Sequence, residues 1–252
     1  MPPRPLFVVG GLGDGSGIGA ATAKLFTRSG YSVALIARGS SGTIQRLAEE
    51  LNASGGDAAP FPLAAYTYTE IHRAFDDVRK HWPESELRVA VFNIAATTFK
   101  PFLEYTEADI DASLDLNIRA GYAFAREVIL RQKEQPIGEH GKRGALLFTG
   151  ATASLRGNTR TCAFAVGKHG LRALANSLAK EFSKQNIHVA HIVVDGVIAT
   201  DEHRSNNDVG WNENPDVKLL PETIAQNYLY LANQDRSAWT FELDLRPAHE
   251  KW

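Results

Sequence analysis

Two kinds of apolar spacing alternate along this chain. Short continuous apolar runs, Leu6-Phe7-Val8-Val9 first among them, are each followed by a stretch whose apolar residues recur every three or four positions. That is the pattern of buried strands alternating with amphipathic helices. It predicts a strand over Leu6–Val9, a helix from Gly17 to Ser29 stopped by Gly30, a strand from Tyr31 to Ala37, and a helix from Thr43 to Ser54 ending at Gly55-Gly56. A third strand over Ala58–Leu63 leads to a helix from about Thr69 to His81, then a strand over Leu87–Ala95 and a long helix from Glu107 to about Gln132. Beyond a polar loop at 135–143 the pattern continues with a strand over Ala145–Thr149 and a second long helix from about Cys162 to Lys184. A strand over Ile187–Val194, a helix starting near Pro221 and a strand over Ala238–Leu245 complete it. No internal repeat or low-complexity linker interrupts the series. Strands alternating with helices imply one domain, a parallel sheet covered by helices on both faces. Ligands of such sheets bind beyond the carboxyl ends of the strands, so the segments after each strand carry the candidate chemistry.

The first of these segments holds six glycines between Gly10 and Gly19. A strand that turns on glycines into a helix lets backbone N–H groups and the helix N-terminus approach a pyrophosphate with no Cβ in the way. The flanking elements favour a dinucleotide site over a turn that only reverses the chain. Two placements are open, Gly11-Gly17-Gly19 and Gly13-Gly17-Gly19, with Ile18 opening the helix. Asp14 would repel a pyrophosphate and is expected to face solvent. After the second strand stands Arg38, preceded by Ala37 where an acid would hydrogen-bond the adenine ribose of NAD. An arginine there accommodates a 2′-phosphate, with Ser40 and Ser41 as further donors, so NADP(H) is the expected cofactor; a solvated loop arginine is the alternative. The later strands end in Asn93-Ile94-Ala95-Ala96, Gly150-Ala151-Thr152 and Asp195-Gly196.

Composition narrows the function classes. The 252 residues are 44% hydrophobic with a net charge of −2, which gives no electrostatic footprint for nucleic acid or an anionic membrane. The apolar runs are too short to span a bilayer, and Met1-Pro2-Pro3-Arg4-Pro5 does not read as a signal peptide. The single cysteine, Cys162, fits a reducing compartment, and Glu250-Lys251-Trp252 is not a peroxisomal address. These features lead to the expectation of a cytoplasmic protein acting on a small molecule, with no metal site and no nucleic-acid or membrane partner.

The strand-end segments, Asn117 in the first long helix, and Ala163-Phe164-Ala165-Val166-Gly167-Lys168-His169-Gly170 opening the second together resemble the short-chain dehydrogenase/reductase family over nearly the whole chain. The resemblance implies a single-domain Rossmann-type doubly wound sheet of about seven parallel strands flanked by helices, spanning 1–252. It also implies an NADP(H)-dependent oxidoreductase that forms a homodimer or homotetramer on the two long helices. Gly167, Gly170, Ala173 and Ala175 would permit close helix approach at that face, or pack equally well within one chain. Gly11, Gly13, Gly17, Ile18 and Gly19 fall at the pyrophosphate, Arg38 at the adenosine, and Asn93 and Ala95 beside the cofactor. Ile198 and Thr200 fall at the nicotinamide carboxamide, and 200–220, with Trp211, at the substrate lid. Ala64 stands where the family has an aspartate against the adenine. Asp195 stands where it has a proline before Gly196, and turn formation is the leading reading for it.

Lys168 and Asn117 match two of the family's four catalytic positions. The lysine holds the nicotinamide ribose and lowers the pKa of a tyrosine four residues earlier; the asparagine organises a water chain. Here the tyrosine position is Phe164 and the serine position, thirteen residues before it, is Ala151. The alternative six-residue spacing places Thr161 there and restores nothing. A phenyl ring has no proton to give, and loss of a general acid costs about 10²–10⁴-fold for carbonyl chemistry. Hydride delivery belongs to the cofactor, so an iminium or conjugated alkene depends much less on an acid. Thr152, Ser154 and Cys162 lie near the vacated positions, Thr152 being the candidate retained. His188 and His191 read as satisfied core residues, His203 as a mobile titratable group near substrate. The expected activity is reduction of an activated C=N or C=C bond or a small carbonyl with a modified catalytic set. A non-redox isomerase, lyase or cyclase, or a cofactor-binding protein without turnover, are the competing readings.

Overall fold

A computed structural model describes residues 3–39 and 42–251; Ser40 and Ser41, named above as phosphate donors, lie outside the described residues. The strands are β1 (Leu6–Gly10), β2 (Ser32–Arg38), β3 (Asp57–Leu63), β4 (Leu87–Phe92), β5 (Gly144–Thr149), β6 (Ile187–Val194) and β7 (Glu242–Leu245). They form one sheet in the order β3-β2-β1-β4-β5-β6-β7, every pairing parallel. β1, β5 and β6 are buried along their whole length, which is why they read as mainly apolar runs, broken in β6 only by His188 and His191. Pro60 and Pro62 sit in β3, an edge strand, where their missing N–H groups can face away from β2.

The two-residue period of each strand sends its side chains into two separate cores. On one face Leu6 and Val8 pack with α3 (Tyr68–His81), α5 (Ala120–Glu134) and α6 (Cys162–Phe182). On the other, Phe7 and Val9 meet α1 (Ile18–Arg28), α2 (Gly42–Ala53) and α9 (Pro221–Asn233). Phe7 stacks on Phe26 with ring centroids 4.1 Å apart. Tyr228 of α9, fully buried, bonds the Thr149 hydroxyl at 2.8 Å and so ties that helix to the end of β5.

Several elements differ from the sequence expectation, each for a local reason. The helix expected over Glu107–Gln132 starts as α4 (Glu107–Ser113) behind a Thr106–Asp109 capping box, widens into a π-helical turn over Leu114–Arg119, and continues as α5. The wide turn contains fully buried Asn117. β4 stops at Phe92, because the Asn93 side chain anchors to Gly11 O at 2.9 Å and turns the chain out of the ladder. β7 begins only at Glu242, because the Gln234 amide clamps Thr240 in the preceding turn. The expected lid over 200–220 contains α7 (Asp201–Asn206), α8 (Val209–Glu213) and a single parallel bridge, Ile198↔Leu219. Buried Lys218 donates to the carbonyls of Trp211, Asn212 and Asn214, capping α8 from below.

Candidate active site

The glycine turn is built by close approach. Gly11 has φ +93°, and a Cβ on it would lie 2.7 Å from the Asn93 carbonyl carbon. A Cβ on Gly19 would lie 2.2 Å from Gly11 O, so α1 rests directly on the turn. Gly17 is the N-cap of α1 and no side chain caps that first turn, leaving helix N–H groups available to an anion. Gly13, at φ +56°, has open space around it. The close-packed set is therefore Gly11, Gly17 and Gly19, while Gly13 belongs to the two-residue bulge that lengthens the turn. Asp14 on that bulge is exposed and accepts from the Ser16 N–H at 2.9 Å and its hydroxyl at 2.7 Å. The Ser16 hydroxyl in turn accepts from the Asp201 N–H at 2.9 Å, so α7 is pinned to the glycine turn. Ile18 is buried at the start of α1.

Arg38 ends β2, exposed, its N–H bonded to the Tyr66 hydroxyl at 3.1 Å, and no ion pair to it is formed among the described residues. It borders a cavity of about 700 Å³ that Ala65, Tyr66, Tyr68, Leu116 and Tyr122 also line. Ala64, the position without the expected acid, has its N–H taken by the Glu70 carboxylate at 3.0 Å. The Arg73 guanidinium beside Glu70 holds that carboxyl below its usual range.

At the ends of β4 and β5 the remaining positions converge. Lys168, buried on α6, donates to Thr149 O at 2.8 Å, and burial pushes its ammonium down from 10.5 to about 8. Its Nζ lies 5.9 Å from the centroid of the Phe164 ring one helical turn earlier. Phe164, Ala153 and Ala165 form a small buried apolar cluster with Ala151 packed against it, and the Phe99 ring meets Phe164 edge-on at 5.7 Å. Asn117 donates to Ser113 O at 3.1 Å and lies 3.4 Å from Ala96 O, but its Oδ1 is buried with no partner among the described residues. Ala95 is exposed and half-buried Ile198 takes part in the bridge to Leu219. Thr200 caps α7 and bonds His203 Nδ1 at 2.9 Å.

Three side chains depart from their sequence readings. Asp195 is 1% exposed rather than a solvated turn former. Its Oδ1 accepts from the Thr152 hydroxyl, and the Arg156 and Arg246 guanidiniums lie 3.6 and 3.5 Å from its Oδ2. Two guanidiniums and one hydroxyl, brought from residues 152–156 and from Arg246, make its burial tolerable, and Arg156 and Arg246 carried no sequence signal. Since the Thr152 hydroxyl has one hydrogen and gives it to Asp195, what it offers a ligand is a lone pair. His188 and His191 are not fully satisfied core residues. His188 Nε2 donates to Thr240 O at 2.8 Å and His191 Nδ1 to Glu242 at 3.0 Å, yet His188 Nδ1 and His191 Nε2 have no partner among the described residues. Burial pushes both imidazoles down to about 4. Ser154 is committed to the Ala151 N–H at 3.1 Å, and Cys162 is half-buried at the first position of α6.

Three of the four small residues of α6 named above face inward as well. A Cβ on Gly167 would lie 2.7 Å from Asn117 Nδ2 and Ser113 Oγ, and one on Gly170 would lie 2.6 Å from Ile118 Cδ1. These two glycines admit the π-helical turn of the same chain; Ala175 is likewise buried, while Ala173 is exposed. Among the described residues there is no cluster of His, Cys, Asp and Glu able to hold a metal, and no helix long and apolar enough to cross a membrane.

The profile of the short chain dehydrogenase family matches residues 8–209. A human 3-oxoacyl-[acyl-carrier-protein] reductase is 27% identical over 213 residues, covering 84% of each chain. A solved short-chain dehydrogenase from Rhodopseudomonas palustris is 33% identical and superposes with a TM-score of 0.78 over 97% of this chain and 100% of its own. A metagenomic short-chain oxidoreductase in complex with NADP shares the fold, with a TM-score of 0.78 at 22% identity over 98% of both chains. By these matches and by its own seven-stranded architecture, the chain belongs to the short-chain dehydrogenase/reductase family of oxidoreductases.

Proposed function

We propose that this protein is an NADP(H)-dependent reductase with a modified catalytic set, acting on a substrate whose C=N or C=C bond is already activated, or on a small carbonyl activated by other means. The observation that carries the reading is the apolar pair Phe164 and Ala151, packed together beside Lys168 and Asn117. The residues fit the dinucleotide: Gly11 and Gly19 leave the space a Cβ would fill, the first turn of α1 is uncapped, and Arg38 stands beside a 700 Å³ cavity. When bound, the reduced dinucleotide supplies the hydride. Lys168 keeps N–H groups beyond the one given to Thr149 O, and one of them holds the nicotinamide ribose. Phe164 and Ala151 exclude water and present no proton at the place where a carbonyl oxygen would develop charge. Thr152, backed by Asp195, orients a substrate donor rather than delivering a proton.

α7 and α8 form the substrate lid, anchored through Ser16 and Asp201. The protein assembles as a homodimer or homotetramer through α5 and α6, which leave Tyr122, Leu130 and Val166 exposed. A cytoplasmic location fits its one unpaired cysteine. The apolar pair would equally serve a non-redox enzyme. Stoichiometric oxidation of NADPH with product formed from a panel of iminium, conjugated-alkene and ketone substrates supports the reductase, whereas product without oxidation replaces it.

Cofactor choice is testable separately. Arg38→Ala should weaken NADPH binding by about 10–100-fold, the worth of a charge-assisted contact to phosphate, and leave NADH binding unchanged. Fluorescence titration of both nucleotides measures this. Equal affinity of the parent protein for NADPH and NADH would contradict the assignment.

A further inference from the structure

On the α6 face of the sheet, directly behind Lys168, lies a charged line that the reaction above does not use. His191 sits in β6 between Phe148 of β5 and Glu242 of β7, and is fully buried. Arg172, one helical turn after Lys168 on α6, grips Glu242 through two bonds of 2.6 and 2.8 Å and holds that carboxyl below its usual range. An ionised carboxylate can only accept, so the proton of the neutral imidazole must sit on Nδ1, which bonds Glu242 at 3.0 Å. His191 Nε2 is therefore a bare lone pair, buried and without a partner among the described residues. It lies against Gly150, where a Cβ would come within 2.3 Å of it, while Lys168 holds the carbonyl of the adjoining Thr149. Lys168 and His191 thus touch neighbouring residues of one peptide, and the Lys168 charge disfavours protonation of the ring.

We propose that His191 is a positioning residue for Lys168: its Nε2, left bare because burial keeps the ring neutral and Nδ1 gives the one proton to Glu242, accepts through one water from the Lys168 ammonium on the other side of the Thr149–Gly150 peptide. A buried ammonium with only one acceptor is costly, and a buried imidazole nitrogen with none is costly too; pairing them removes both penalties. The charged and titratable groups around the pair are Lys168 and Arg172 on α6, His191 on β6 and Glu242 on β7. The neighbouring segment of α4 and the π-helical turn contributes only the uncharged Ser113 and Asn117. In a chain with phenylalanine at position 164, His191 supplies from behind the polar contact that keeps the ammonium charged and aimed at the cofactor.

The consequence for nucleotide affinity rests on the reading of Lys168 given above, but the pairing itself can be tested without ligand. In the full-length, ligand-free protein, the Lys168 ¹³Cε resonance, assigned by its loss in Lys168→Met, reports the midpoint of the buried ammonium. His191→Phe removes the acceptor at similar volume and should lower that midpoint by about one pH unit or more. His191→Gln, whose carbonyl oxygen can take the place of Nε2, should stay near the parent value. A purely structural His191 would change the melting temperature and leave the Lys168 midpoint where it is. An unchanged midpoint in a natively folded His191→Phe, or in His191→Leu should the first not fold, overturns the pairing. Absence of NADPH binding by the parent would instead sink the functional reading and leave the Lys168 titration still decisive here.

Discussion

Phe164→Tyr is expected to raise the reduction of unactivated ketones by at least about 10²-fold, within the 10²–10⁴-fold range that a positioned general acid contributes. The Lys168 ammonium, 5.9 Å from the ring centroid, is close enough to favour a phenolate and bring a tyrosine below its ordinary value near 10. Ala151→Ser in the same background should add to the gain, since a hydroxyl there would orient the carbonyl oxygen. The Phe99 ring stands edge-on to Phe164, so the new phenol needs room beside it; Phe99→Leu provides that room if the single variant is silent. The parent protein offers an independent arm. NADPH oxidation should be rapid with iminium or conjugated-alkene substrates and slow with simple ketones. Fast turnover of unactivated ketones by the parent would mean that another group gives the proton, and Thr152, Cys162 and His203 would be the first to replace.

The parts of the fold that could be read along the chain are those determined by neighbours in sequence. The β1, β5 and β6 runs are buried along their whole length and largely apolar because helices cover both faces, and that burial pattern needs no knowledge of partners. The choice between Gly11 and Gly13 was of another kind. It turns on Asn93, whose backbone and amide close against Gly11 from the end of β4. The π-helical turn at Asn117 was equally invisible, because one extra residue in a single turn barely disturbs a 3.6-residue period.

The polar residues at the strand ends show the same limit more sharply. Asp195 was visible as an acid in place of a proline, but its meaning depends on Thr152, Arg156 and Arg246, brought together only by the β5-β6-β7 pairing. Gly167 and Gly170 looked fit for a contact with a partner chain or with their own, and the side chains of Asn117 and Ile118 decide for their own. A spacing can say which residues share a helical face. It cannot say what that face meets.

Lys168→Met should weaken NADPH binding by about tenfold or more and slow single-turnover hydride transfer with it, since a charged donor to the ribose is lost. The pH dependence gives the prediction its signature. Burial lowers the ammonium from 10.5 to about 8, so the charged form is the main one at pH 7 and a minor one at pH 9. Nucleotide phosphates complete their ionisation near pH 6, so a fall in affinity above 8 reports on the protein. The parent should show that fall and Lys168→Met should not. Stability moves the opposite way. Between about 8 and 10.5 the unfolded chain binds a proton that the folded chain has released, so the parent's unfolding free energy rises with pH across that window, and the variant lacks this rise. Urea unfolding at pH 7.5 and 9.5 separates the two chains without any ligand present. A variant that binds NADPH and transfers hydride as the parent does would show that Lys168 is held in place for the sheet, through Thr149, and not for the cofactor.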